Sequence, residues 1–169
     1  PITYQSASGN PNSVIINADL VYGMSFNTCY NIHHIRNLSF KNITFAGANG
    51  SNNYMVYIGR DAKDVLFSGN TLDYSTNPNN KAVIYSKEYH SGLTLLNNRI
   101  KGAIESILYS TPSVGSSPEQ IKLKGNTFSD FSSNAMSFSS LGDSLVLDSN
   151  TVLKTQATGY GIYTNNCGH

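Results

Sequence analysis

Residues 121–131 read IKLKGNTFSDF. Ile121 and Leu123, two apart, are followed by Asn126 and then by Phe128. A spacing of two is the period of a strand with one buried face. The asparagine interrupts it at a fixed place. The same figure returns as Val65, Phe67, Asn70 and Leu72, as Leu93, Leu95, Asn98 and Ile100, and as Leu145, Leu147, Asn150 and Val152. The four asparagines stand 28, 28 and 24 residues apart. Upstream, Leu38, Phe40 and Phe45 fill the apolar slots with Ile43 in place of the asparagine. Further back, Val14, Ile16 and Val21 align as another unit with Asp19 in that slot. Six units at such a period mark a stacked repeat.

Each unit carries a third apolar run after the asparagine: MSF, MVYI, AVIY, SILY, AMSF and GIY. Gly, Ser, Asn and Pro collect between the runs, as in NTLDYSTNPNNKA and STPSVGSSPEQ, and these are loops. GAIESILYS occupies a third-run position and reads as strand. A unit of two or three short strands cannot bury its own apolar face, so it is stable only when stacked on its neighbours. Stacked coils lie about 4.8 Å apart, within reach of a side-chain amide. An asparagine repeated at a buried corner therefore predicts a ladder along Asn70, Asn98, Asn126 and Asn150, in which adjacent coils satisfy one another's polar groups. Asparagine also tolerates the left-handed backbone of a tight corner.

This pattern resembles the right-handed parallel β-helix repeats of the pectate-lyase-like superfamily, over residues 1–164. The opening PITYQSASGNPNSVIINA is similar to an early coil of secreted β-helix proteins. The resemblance implies an all-β chain: a single-stranded, right-handed parallel β-helix of about six coils with an internal asparagine ladder.

The 169 residues have the length of one domain, expected to be an interior segment of a longer protein because no capping helix or loop is visible at either end. Charged residues make up 12% of the chain and the net charge is +1. So even a balance argues against disorder and against a nucleic-acid partner, which needs a basic face. No apolar run is long enough to span a membrane. Low charge and abundant Ser and Asn point to an extracellular or cell-surface setting. Asn37, Asn42 and Asn49 head glycosylation sequons. Cys29 and Cys167 fit neither a disulfide framework nor a metal site. Five coil steps between them predict a separation of roughly 24 Å.

The resemblance implies a polysaccharide or cell-surface glycan as partner, and in lyases of the superfamily a Lys or Arg base, commonly with calcium. Counting back ten residues from the ladder slot gives a row of His33, Arg60 and Glu88, with Lys87 beside it. VIYSKEYH is similar to the strand carrying the catalytic lysine of chondroitinase-B-like and alginate-lyase-like enzymes, which casts Lys87 as base and Arg60 as its electrostatic partner. Against this, ILYSTPSVG on the next coil lacks the Arg-His pair such enzymes carry. Glu119 and Asp143 are expected as stacked neighbours, an acid pair too small for a metal site. Lys124 and Asp148 are expected to pair across coils. Tyr57, Tyr85, Tyr109 and Tyr163 recur once per coil with Phe138, either as an outward sugar-binding row or as a core stack. MVYI points Tyr57 outward and AMSF points Phe138 inward with Met136, so a mixed row with most members in the core is expected. The leading expectation is a non-catalytic scaffold for adhesion or carbohydrate binding, without cofactor. One alternative is part of a polysaccharide lyase or hydrolase, which alone would bring calcium. The other is a structural fibre or sheath subunit stacking end to end on copies of itself.

Overall fold

The computed structural model describes residues 1–17, 28–47, 53–75, 80–86, 91–110, 120–139, 141, 145–153, 159–165 and 167. The chain winds as a parallel β-solenoid, three strands to each coil. The first coil holds β1 (Ile2–Gln5), β2 (Ile15–Asn17) and β3 (Thr28–Ile32), and the second β4 (Arg36–Lys41), β5 (Thr44–Ala46) and β6 (Tyr54–Ile58). Next come β7 (Lys63–Ser68), β8 (Thr71–Tyr74) and β9 (Ala82–Ser86), then β10 (Ser91–Leu96), β11 (Arg99–Gly102) and β12 (Glu105–Ser110). The last two coils are β13 (Ile121–Lys124), β14 (Thr127–Ser129) and β15 (Met136–Ser139), and β16 (Leu145–Asp148), β17 (Thr151–Leu153) and β18 (Ile162–Asn165). Every third strand joins the same sheet, so three six-stranded parallel sheets run side by side.

Register places like upon like. Leu38, Val65, Leu93, Ile121 and Leu145 form one interior column of the first sheet, and Phe40, Phe67, Leu95, Leu123 and Leu147 the next. Phe45, Leu72, Ile100, Phe128 and Val152 line up in the second sheet. Val56, Ile84, Ile107 and Met136 do so in the third. These columns meet in one continuous core.

The ladder has a direction. Asn126 donates its backbone N–H to Asn150 Oδ1 at 3.0 Å, Asn98 to Asn126 Oδ1 at 2.9 Å, Asn70 to Asn98 Oδ1 at 2.9 Å, and Ile43 to Asn70 Oδ1 at 3.0 Å. Each Nδ2 donates back to the preceding coil: Asn70 to Phe40 O, Asn98 to Phe67 O, Asn126 to Leu95 O and Asn150 to Leu123 O, all between 2.8 and 3.0 Å. So every carboxamide serves the coil behind it. The left-handed backbone belongs to the residue before the ladder position: Asn42, Gly69, Asn97, Gly125 and Ser149 have φ of 53, 65, 53, 66 and 54°. A Cβ on Gly69 or Gly125 would strike the amide oxygen of Asn42 or Asn97 on the preceding coil. Small and amide residues therefore alternate down this edge of the corner.

Two expectations need correction. The enclosed solenoid amounts to about four turns rather than six, because the first and last coils are covered on one side only and leave Ile2, Tyr4, Leu147 and Ile162 exposed. The alignment of the first coil also shifts. Ile2 and Tyr4 stand opposite Leu38 and Phe40, Ile16 stands opposite Phe45, and Val14 occupies the ladder slot through the Thr44 N–H to Val14 O bond. Asp19, Val21 and the MSF run lie outside the described residues, and the third strand of this coil is Thr28–Ile32. The loop between Tyr4 and Val14 is longer than in any later coil at that corner, so an alignment counted back from the ladder slips there.

Replacing Asn98 by Leu is expected to orphan the Asn70 N–H and the Phe67 carbonyl inside the core, costing about 1–3 kcal/mol in urea denaturation. Leucine at exposed Lys122, on the outer face of β13, is expected to cost much less. Equal losses would contradict a stabilising ladder. Cys29 lies in β3 and Cys167 follows β18, at opposite edges of the third sheet and five strand spacings apart, or roughly 24 Å. Non-reducing peptide mapping of the monomer is expected to show no bond between them, since a disulfide needs Cα atoms within about 7 Å.

Candidate functional site

Chemistry-bearing side chains gather on the third sheet of the early coils. The orientation of that sheet follows from Tyr30, whose hydroxyl donates to Ile16 O at 2.7 Å and whose ring meets Phe45 edge-on. Tyr30 thus points inward, with Val56 and Ile84 in register behind it. Residues one position on, Asn31, Tyr57 and Tyr85, belong to the opposite face.

Along that face the aromatic rings touch in sequence. His33 sits 5.1 Å from Tyr57, Tyr57 5.6 Å from Tyr85, and Tyr85 stacks on Tyr54 at 3.9 Å with 10° between the planes. His34 adjoins His33 at 6.3 Å and pairs its Nδ1 with Asp61 Oδ2 at 3.3 Å, both side chains being largely exposed. Tyr57 is only 2% exposed, whereas Tyr54, Tyr85 and His33 are half-buried.

The aromatic row is mixed, as expected, with Tyr57 on the outer face and Phe138 in the core, but Tyr109 falls out of register with Tyr85. Tyr57 and Tyr85 are neighbours, but Leu108 follows them, then Ser137 and Tyr163. Tyr109 shares the adjacent column with Ser86 and Phe138, and at 1% exposure it belongs to the core. Tyr163 lies on the last coil, 45% exposed, with its ring 6.3 Å from that of Tyr160. The step from β9 to β12 is 23 residues while the ladder steps by 28, so a register counted from the ladder fails beyond the variable second corner.

The cation row also shifts by one residue. His34 N–H donates to Arg60 O and Gly59 N–H to Ile32 O, which sets His34 beside Arg60 and His33 beside Gly59. A Cβ on Gly59 would collide with the imidazole of His33, so the ring occupies the space that a side chain there would fill. Asp61, with a φ of 59°, is the extra residue that displaces the count. Lys87, Glu88, Glu119, Asp143 and Asn49 lie outside the described residues. Among the sequon asparagines, Asn37 is exposed and Asn42 is half-buried at the ladder corner. Lys124 Nζ meets Asp148 Oδ2 at 2.7 Å, an exposed pair of small energetic weight. Among the described residues no three His, Cys, Asp or Glu side chains cluster as metal ligands, and no helix is long and apolar enough to cross a membrane.

Sequence reasoning missed Tyr54, His34 and Glu105. Tyr54 opens the run YMVYI, where only its later tyrosine was counted; Glu105 is the one acid in GAIESILYS. Glu105 pairs with Ala82, and Ala82 with Tyr54. Glu105 Oε1 accepts from Asn134 Nδ2 at 3.2 Å, while Oε2 is buried with no hydrogen-bond partner. Burial pushes this carboxyl above the usual carboxylate range, and hydrogen bonds from Ser137 and Asn134 only partly offset it.

Comparison with protein-family models, with curated proteins and with solved structures finds no match to this chain.

A raised folded-state pKa makes the ionised carboxylate a liability. Its protonated form favours folding below the unfolded pKa, and that contribution is lost as the pH rises through the folded pKa. Glu105→Gln is therefore expected to raise the melting temperature at neutral pH and to leave it unchanged in acid, below the ordinary glutamate pKa. A gain of equal size at both pH values would contradict the burial argument.

Proposed function

We propose that this chain is a non-catalytic, extracellular or cell-surface scaffold of pectate-lyase-like kinship that binds a polysaccharide or cell-surface glycan along the outer face of the third sheet. The asparagine ladder supports the kinship, and the low charge with abundant Ser and Asn supports the setting. One observation carries the binding reading: Tyr54 and Tyr85 form a half-exposed, face-to-face pair on a rigid parallel sheet, with His33 extending the row and Arg60 at its rim. Aromatic faces of this kind take the apolar side of a sugar ring, while hydroxyls and a nearby cation meet its polar edge. A rigid solenoid suits repeating glycans because its own coils repeat, and little conformational entropy is lost on binding.

Calorimetric titration with neutral and uronate-containing oligosaccharides tests the reading. Binding is expected, and Tyr85→Ala is expected to weaken it about tenfold, the equivalent of roughly 1.4 kcal/mol. Tyr163→Ala, on the distant last coil, is expected to leave it unchanged. Affinity indifferent to Tyr85 would overturn the site. Unsaturated product accumulating during the titration would replace scaffold with lyase.

A further inference from the structure

Hydrogen bonds and packing join each coil to the next. Cys29 and Cys167, at opposite edges of the third sheet, cannot add a covalent tie between neighbouring coils. One pair of tyrosines stands where such a tie can form. Tyr54 opens β6, and Tyr85 lies in β9 on the next coil. Their ring centroids are 3.9 Å apart and their planes differ by 10°. Aromatic pairs usually keep roughly 4.5–7 Å between centroids, so these two faces are in full contact. The residue opposite Tyr54 is Ala82, whose methyl group leaves room for the ring to reach across to Tyr85. Two further tyrosine pairs are looser: Tyr57 and Tyr85 at 5.6 Å and 33°, and Tyr160 and Tyr163 at 6.3 Å and 29°.

Contact of this kind suits one reaction. Removing a hydrogen atom from a phenol leaves a tyrosyl radical, with its unpaired electron shared between the oxygen and the ring carbons beside it. Two such rings held face to face can join through those carbons, because the new bond first forms across the stack, between carbons that have turned tetrahedral. Each joined carbon then releases its hydrogen as a proton while its ring oxygen takes one up, and both rings become phenols again. In sum, two tyrosines and one hydrogen peroxide give one dityrosine and two waters. Holding the rings in contact makes the coupling intramolecular and removes the search that keeps free radicals apart.

We propose that Tyr54 and Tyr85 are a dityrosine site, where hydrogen peroxide and a haem peroxidase bond a Cε carbon of one ring to a Cε carbon of the other. The bond staples the second coil to the third. Both rings are half-buried, whereas Tyr4, Tyr160 and Tyr163 are exposed, so contact rather than accessibility selects the pair. The staple forms whether or not this face binds a glycan.

The full chain, at high dilution, is treated with a haem peroxidase and hydrogen peroxide, and the monomer is mapped by tandem mass spectrometry. The expected product joins the peptides of Tyr54 and Tyr85, two hydrogens lighter than their sum, at least about tenfold more abundant than any other tyrosine pair. The linked monomer is expected to melt higher, because the bond also constrains the unfolded chain. Tyr54→Phe and Tyr85→Phe each keep a ring in the stack without the phenol oxygen, and each is expected to lose the link and the dityrosine fluorescence of the monomer. Tyr57→Phe is expected to keep both. A dominant Tyr57–Tyr85 or Tyr160–Tyr163 bond, links only between molecules, or a monomer without any link would overturn the proposal. Undiminished monomer fluorescence in Tyr54→Phe would do the same.

Discussion

A carboxamide that reaches back to the coil before it is the contact on which the rest of the solenoid depends. At the first corner the backbone turns inside the core, where water cannot satisfy its N–H and C=O groups. Leaving such groups unpaired costs about as much as several methylene burials return. Asparagine meets both needs at once, since its oxygen accepts and its nitrogen donates. Asn70, Asn98 and Asn126 are each buried to within a few per cent of complete exclusion. An apolar residue in the slot is tolerated only toward the first coil, at Ile43 and Val14, where fewer coils remain to be served.

With the corner satisfied, packing follows from repetition. Interior columns of Leu, Ile, Val and Phe interdigitate between coils, and the rings of Tyr4, Phe40 and Phe67 stack at 5.5 and 5.1 Å. Phe45 closes the group edge-on to Phe40 and Tyr30. Nearly all of this stabilisation is between coils rather than within them, which is why the unit has meaning only in a stack. The second corner obeys no such rule. It varies in length from coil to coil, and the outer face of the third sheet is where distinctive side chains accumulate: the aromatic row, the His34–Asp61 pair and the half-buried Glu105. Constancy at one corner thus frees the other to carry chemistry.

How much was legible in advance follows the same division. Asn126 with Ile121, Leu123 and Phe128 announced strand, corner and strand, and the recurrence of that figure announced a parallel stack. The Lys124–Asp148 pair was placed by counting two residues back from the ladder, within one strand of the fixed corner. Tyr109, His33 and the first coil were misplaced because each was counted across a loop whose length differs from its neighbours. Asp61 adds one residue before β7, and the β9-to-β12 step shortens to 23 residues.

The sequence by itself determined the period, the three apolar columns nearest the ladder and the identity of the residues at the buried corner. These are set by local spacing, since a strand period and a hydrogen-bonding side chain do not depend on what lies beyond the next turn. Only the tertiary structure decided which residues of the third sheet share a row, that Tyr54 rather than Tyr109 joins Tyr85, that Tyr57 is covered, and that the ladder points one way along the axis. Those properties arise between coils. They depend on how many residues each loop spends in returning the chain to its stack, and a loop's composition does not encode that number in the register of the strands it joins.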